Sequence, residues 1–173
     1  MLTPLGAIAR GLVAGAVGTL AMDVLLYAEY RAGGGKSPFR RWEFSADIEN
    51  WDQAPAPAQV GRRLFEGLLH RELPDRRAAL VNNITHWAFG IANGAAYGVV
   101  AGSTPTPKIR YGVPFGATVW STGYVVLPLA GLYEPIWKYS AKVLAKDLTA
   151  HLTYGLSTAT TYRRLTHSKP VHQ

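Results

Sequence analysis

Charged residues are missing from long stretches of this 173-residue chain, and no other feature limits its fold as strongly. Residues 28–78 hold 9 of the 18 Lys and Arg residues and 8 of the 11 Asp and Glu residues. The sequence on either side of this segment is therefore almost free of charge. A helix of about 20 apolar residues is long enough to cross the roughly 30 Å hydrocarbon core of a bilayer. The charge distribution thus predicts a membrane protein.

The apolar sequence divides into four predicted membrane spans, at about residues 5–27, 79–101, 111–133 and 143–162. The second and third contain no Asp, Glu, Lys or Arg, and Pro114 and Pro128 are expected to kink the third. The fourth contains Lys146, Asp147 and His151, so we expect its polar side to face into a bundle. A cleaved signal peptide is the alternative for the first span, but no cleavage site is evident there.

The predicted fold class is all-α, a four-transmembrane-helix bundle that forms one integral membrane domain over residues 1–173. Small residues recur four apart in three of the spans, which lets helix backbones approach closely in lipid. These residues are Gly11 and Gly15, then Gly90, Gly94 and Gly98, and finally Gly112 and Gly116. The same faces could also support self-association.

The extramembrane loop, residues 28–78, carries a predicted amphipathic helix. Its apolar side chains recur at helical spacing: Val60, Leu64, Phe65, Leu68 and Leu69. Such a helix can lie in the headgroup plane or cap the bundle. Earlier in the loop, Trp42, Phe44 and Trp51 alternate with acidic residues, which is typical of a chain near headgroups. A soluble ligand-binding loop is the alternative interpretation.

Ionisable and polar residues fall at a similar depth in several spans and predict a polar pocket near one membrane face. The candidate pocket residues are Asp23, Asn82, His86, Glu134, Asp147, His151 and Tyr154. The pocket has four possible roles. It could be a structural polar cluster or a proton relay. It could also bind a divalent metal such as zinc through the two Asp and two His side chains. A haem or quinone site is less favoured, because the chain has no attachment motif.

Several local patterns resemble the YagU-like family of bacterial inner-membrane proteins, whose function is unknown. They are Thr85-His86, Tyr97 to Val100, Pro107 to Ile109, Leu127 to Leu132, His151-Leu152 and Arg163-Arg164. The resemblance covers about the C-terminal half of the chain, and the loop from Arg31 to Ala78 departs from it. It implies a four-span bundle in the plasma membrane with both termini in the cytoplasm.

The charge count alone leaves the orientation divided. The side that holds both termini has six basic residues and no acidic one, whereas the loop side has twelve basic residues among many acidic ones. Most of the net charge of +7 lies in the short segments on the side of the termini. No nucleic-acid-binding motif is evident in the sequence. We expect contact with membrane lipids instead. His167 and His172 belong to a predicted solvated C-terminal tail.

The chain has no cysteine and no recognisable nucleotide, hydrolase or metalloprotease motif. The leading hypothesis is a non-enzymatic membrane protein whose pocket, near the outer leaflet, binds a proton, a metal ion or a small ligand. One alternative is an accessory or assembly subunit of a larger membrane complex. Another is a small membrane enzyme that acts on lipid or isoprenoid, with the Asp and His side chains as general acid and base.

Overall fold

The computed structural model describes residues 3–44, 48–52 and 54–167, and this part of the chain is all α-helical with no strand. Its α-helices are, in order, α1 (Pro4–Ala32), α2 (Phe39–Glu43), α3 (Ala56–Leu69), α4 (Ala78–Gly102), α5 (Gly112–Leu129) and α6 (Ala141–His167). Short 3-10 turns at Asp75–Arg77, Ile109–Tyr111 and Ile136–Lys138 precede α4, α5 and α6. The all-α prediction is confirmed. His167 ends α6, so the predicted solvated tail does not include it, and His172 lies outside the described residues.

By length and composition, one helix within the described ranges, α1, could cross a membrane. Helices α4 and α5 contain no charged residue, but their glycine, amide and hydroxyl side chains lower the mean hydropathy. The apolar α1 gives weak support to membrane association. The four-span arrangement remains a prediction.

Each of the four long helices runs antiparallel to the helices on which it packs. Helix α1 packs between α4 and α6, and α6 packs in turn on α5. The start of α1 lies beside the end of α6, because Arg10 Nε donates to the Leu165 carbonyl oxygen at 3.2 Å. The start of α1, the end of α6 and the α4–α5 connection therefore lie at one end of the bundle, called the terminal end. The described residues between α1 and α4 lie with the α5–α6 connection at the other, called the loop end.

Glycine allows α1 and α4 to pack with their backbones in contact. A Cβ atom at Gly15 would lie 2.7 Å from the Gly90 carbonyl oxygen and 2.8 Å from the Gly94 Cα atom. On the other side of the bundle, a Cβ atom at Gly112 would lie 2.5 Å from the Gly155 carbonyl oxygen. The close packing predicted from the glycine spacing is therefore present at both contacts.

Small and hydroxylated residues fill the bundle interior, and large aliphatic residues lie outside. The buried residues of α1 are Ala7, Gly11, Ala14, Gly15, Gly18, Thr19 and Asp23. The exposed large aliphatic residues of the same helix are Leu5, Leu12, Val13, Val17, Leu20 and Val24. This distribution is the reverse of the one in a water-soluble bundle, where leucine and valine fill the core.

Two buried tyrosines of α6 bind backbone carbonyls of α4. Tyr154 OH donates to the Gly90 oxygen at 2.6 Å, and Tyr162 OH donates to the Gly98 oxygen at 3.0 Å. The tyrosines are eight residues apart, and so are the glycines, which fits two parallel helices with the same rise per residue. These bonds connect α6 to α4 where the two helices have few direct contacts.

The loop has a small core of its own against α4. Trp51 is buried with Ala58, Ala78 and Val81, and its Nε1 donates to the Leu73 carbonyl oxygen at 2.9 Å. The Trp51 ring therefore fills this core and does not lie on the surface of the loop. Helix α3 is confirmed, and it turns its small residues towards α4.

The prolines predicted to kink the third span lie in end turns of α5. Pro114 is in the first turn, where its missing N–H has no partner to lose, and Pro128 is next to the last residue. The helix ends at Leu129, four residues before the predicted end, because Gly131 adopts a left-handed φ of 67° and its N–H bonds to the Pro128 oxygen.

We expect Gly15→Ala to destabilise the bundle by about 1–3 kcal/mol, because the added methyl group meets the α4 backbone, which cannot move aside. Thermal unfolding in detergent measures the change. Gly123→Ala in α5 is the matched control, since a Cβ atom there has no neighbour within 4 Å. Equal effects of the two substitutions would contradict the packing described here.

Candidate functional site

Asp23 of α1 and His86 of α4 form a buried pair near the loop end. His86 Nε2 lies 2.8 Å from Asp23 Oδ1, where its N–H can donate. Asp23 is only 3% exposed. Its second oxygen, Oδ2, is buried and has no hydrogen-bond partner among the described residues. An unpaired buried carboxylate oxygen is costly, so this atom is a candidate position for a proton or a small ligand.

The glycine contact sets the position of this pair. Gly15 touches Gly94 across the α1–α4 interface. Asp23 lies eight residues after Gly15, and His86 lies eight residues before Gly94. In antiparallel helices, equal steps in opposite directions reach the same level, so the two side chains meet.

Glu43, at the end of α2, reaches the same region and was not among the predicted pocket residues. Trp87 Nε1 donates to Glu43 Oε1 at 2.8 Å, and Asn83 Nδ2 donates to the Glu43 backbone oxygen at 2.9 Å. Burial raises the pKa of the Glu43 carboxyl group above its ordinary value, and the nearby Asp23 carboxylate raises it further. The hydrogen bond from Trp87 and the charge of His86 act in the opposite direction.

Aromatic rings hold α2 against the end of α1 and so position Glu43. The Tyr27 ring lies 5.2 Å from Phe39 and 5.4 Å from Trp42, measured between centroids. Tyr27 OH also donates to the Ser37 oxygen at 3.1 Å. The aromatic residues of the loop are a sequence signal for the docking of α2 on α1. The contact between Glu43 and α4 is tertiary, and no local sequence pattern predicts it.

Asp147 and His151 form a second pair, one turn apart on α6. His151 Nδ1 lies 3.4 Å from Asp147 Oδ1 and 2.9 Å from the Asp147 backbone oxygen. Tyr124 of α5 lies near the Asp147 carboxylate. The Tyr124 ring contacts the Tyr133 ring, at a centroid distance of 5.7 Å. This pair therefore faces α5.

The structure thus forms two pairs where the sequence predicted one pocket. Within residues 3–44, 48–52 and 54–167, no group of three or more His, Cys, Asp or Glu side chains could hold a metal ion. The predicted zinc site on Asp23, His86, Asp147 and His151 is not assembled. The physical reason is that Asp23 and His86 lie between α1 and α4, whereas the other pair lies where α6 packs on α5.

The remaining predicted pocket residues lie in different surroundings. Tyr154 bonds to Gly90, one turn from His86, and Asn82 is half-buried on α4. Glu134 is exposed in the α5–α6 connection and does not join either pair. Lys146, a charged residue of the predicted fourth span, binds Glu29 at 2.8 Å.

We expect a double-mutant cycle with Asp23→Ala and His86→Ala to give a coupling free energy of about 1–3 kcal/mol, because each substitution leaves the other side chain buried without its partner. Chemical unfolding of the four proteins in detergent measures it. The same cycle on Asp147 and His151 is the comparison. Additive effects of Asp23→Ala and His86→Ala would show that the two side chains do not interact.

A protein-family profile described as "Protein of unknown function (DUF1440)" matches residues 69–160, just over half of the chain. The matched region contains α4, α5 and most of α6. It includes His86 and the second pair but neither Asp23 nor Glu43. No curated protein and no solved structure matches the chain. The chain belongs to the DUF1440 family, a family of proteins of unknown function.

Proposed function

We propose that this protein spans a membrane four times and binds a proton at the group formed by Asp23, His86 and Glu43, and that this proton controls the docking of α2 on the bundle. The observation that carries the proposal is the position of Glu43. A carboxyl group from the extramembrane loop is held by α4 beside the buried pair, whose Asp23 Oδ2 has no partner in the described part of the chain.

The distribution of apolar residues supports the four-span arrangement. Large aliphatic side chains are exposed along the outer faces of α4 and α5 as well as α1, including Ile84, Val99, Val113 and Val125. In water this surface would promote aggregation, whereas in lipid it is a favourable boundary. Glycine and alanine at the helix contacts then provide the close van der Waals packing on which helix association in lipid depends.

The helix lengths and charges agree with this arrangement. Helix α4 has 25 residues without a charge, and the 18 residues of α5 extend about 27 Å, close to the hydrocarbon thickness. In this proposal the loop end faces the outside and the terminal end faces the cytoplasm of a bacterial cell. The resemblance to YagU-like inner-membrane proteins supports that orientation.

The chemistry of the group favours proton binding. Two carboxyl groups and one imidazole lie together, so the group carries a net negative charge when both carboxyl groups are ionised and His86 holds one positive charge. One further proton neutralises it, and such groups titrate as a unit. Three other pairs at the loop end are separate from this group: Glu29 with Lys146, Glu66 with Arg62, and Asp147 with His151.

The sign of the pH effect follows from the raised pKa of Glu43. A carboxyl group whose pKa is higher in the docked state than in the free state favours docking while it is protonated. Docking of α2 is therefore strongest below the ordinary pKa of about 4.5 and weakens as the pH rises through the raised value.

A spin label on Arg41→Cys tests the proposal, because the chain has no other cysteine and Arg41 is exposed on α2. With the protein in lipid nanodiscs, we expect the label to become more mobile as the pH rises from 4 to 8. In Glu43→Gln the label stays immobile throughout, since glutamine keeps an oxygen for Trp87 and cannot ionise.

Glu49→Gln, which changes an exposed carboxyl group of the same loop, is the control and should keep the pH response of the parent protein. The proposal is wrong if label mobility does not depend on pH, or if it depends on pH equally in Glu43→Gln.

A second candidate function is that of an accessory subunit, and the outer face of α3 favours it. Leu64, Leu68 and Leu69 are all exposed, Leu68 to 78%, although they form the apolar side of an amphipathic helix. Because the opposite side of α3 already packs on α4, this face is available to the membrane surface or to a partner subunit. Co-purification after crosslinking, compared with Leu64→Ser/Leu68→Ser, distinguishes a subunit partner from lipid.

A further inference from the structure

Buried hydroxyl side chains follow one another through the bundle interior, from the loop end to the terminal end. This hydroxyl line consists of Thr19 of α1, Tyr97 of α4, and Tyr154, Thr158 and Tyr162 of α6. Tyr97 is 6% exposed, and each of the others is at most 2% exposed. In a membrane interior, buried polar groups are costly and mark candidate pathways for ions or protons.

The hydroxyl line begins beside the buried pair at the loop end. Thr19 lies one turn from Asp23 on the buried side of α1. A Cβ atom at Gly90 of α4 would meet Thr19 Oγ1, so the two residues are in direct contact. Tyr154 OH donates to the carbonyl oxygen of the same glycine at 2.6 Å. Hydroxyl groups of α1 and α6 therefore both reach Gly90, one turn from His86.

The hydroxyl line continues along α6 to the terminal end. Tyr154, Thr158 and Tyr162 are spaced four residues apart, which places them on one side of the helix. Gly18 of α1 contacts the first two, because a Cβ atom there would lie 3.0 Å from Tyr154 Cδ2 and would also meet Thr158 Oγ1. At Gly102, the last residue of α4, a Cβ atom would lie 2.9 Å from Tyr162 OH.

Three buried oxygens along this route have no hydrogen-bond partner within the described residues: Asp23 Oδ2, Thr158 Oγ1 and Tyr97 OH. Asp23 lies near the loop end and Thr158 midway. Tyr97 lies near the terminal end, where its ring packs on the Tyr162 ring at a centroid distance of 5.7 Å. Buried polar groups of this kind are where water binds inside proteins. Water at these three positions can connect the hydroxyl groups.

We propose that the hydroxyl line conducts protons between the group formed by Asp23, His86 and Glu43 and the terminal end. Each hydroxyl group or water accepts a proton on an oxygen lone pair and releases another to the next oxygen, so one positive charge moves and nothing is oxidised or reduced. His86 and Gly102 are 16 residues apart, so the line covers about 24 Å of the bundle. The inference rests on the proposed proton site and the four-span arrangement.

Proton uptake by liposomes that contain the full chain tests the proposal. A pH-sensitive dye inside reports the uptake, and an outward potassium gradient with valinomycin drives it. We expect uptake to be faster than in empty liposomes, and Thr158→Val to lower this excess rate about tenfold, because one hydroxyl step is lost. Valine keeps the shape of the side chain, and Thr158 Oγ1 has no partner in the described part of the chain, so thermal stability should not fall.

Thr122→Val is the matched control, because it makes the same chemical change on the exposed side of α5 and should leave the rate unaltered. Tyr97→Phe removes another unpaired hydroxyl group, should also lower the rate, and serves if Thr158→Val does not fold. The proposal is overturned if the parent protein takes up protons no faster than empty liposomes do. Equal rates in Thr158→Val and Thr122→Val would overturn it as well.

The spin label on Arg41→Cys reports separately on the docking of α2. A protein whose label responds to pH but which does not conduct protons contradicts only the proton path. A protein that conducts protons but whose label does not respond to pH contradicts only the control of docking.

Discussion

The contact between the backbones of α1 and α4 determines most of this structure. Gly11 and Gly15 on one helix and Gly94 and Gly98 on the other leave no space for a Cβ atom. Because α1 also packs on α6, and α6 on α5, this contact fixes the helix at the centre of the bundle. Van der Waals packing of this kind does not require large apolar side chains in the interior, so valine and leucine are left on the outside.

The same contact places ionisable groups where their chemistry differs from that in water. Asp23 and His86 meet because each lies eight residues from the glycines in contact. The loop then adds Glu43 through two hydrogen bonds to α4. In the proposed function, charge and structure are coupled here, since the proton that neutralises the group also favours docking of α2.

Local sequence patterns were sufficient to predict the long helices and part of the site. Uncharged stretches marked α4 and α5, and helical spacing in the loop marked α3. Gly15 and Asp23, which the sequence analysis assigned to a helix contact and to a polar pocket, are both buried on α1. No local sequence pattern indicates the order of the helices around the bundle. One polar pocket was therefore predicted, whereas the structure has one Asp–His pair between α1 and α4 and a second where α6 packs on α5. Glu43 was missed for the same reason, because its tertiary contacts with α4 decide where it lies.

In the proposed function, the exposed aliphatic residues of this bundle face lipid. The chain has no native cysteine, so single cysteines can be introduced to test this directly. The test positions are the exposed Val17 and Val125, and the comparison positions are Ser103 and Ser140 in the connections between helices. In intact cells a membrane-impermeant maleimide should label only Ser140→Cys, and after permeabilisation it should also label Ser103→Cys. Labelling at Val17→Cys or Val125→Cys under native conditions would contradict the account.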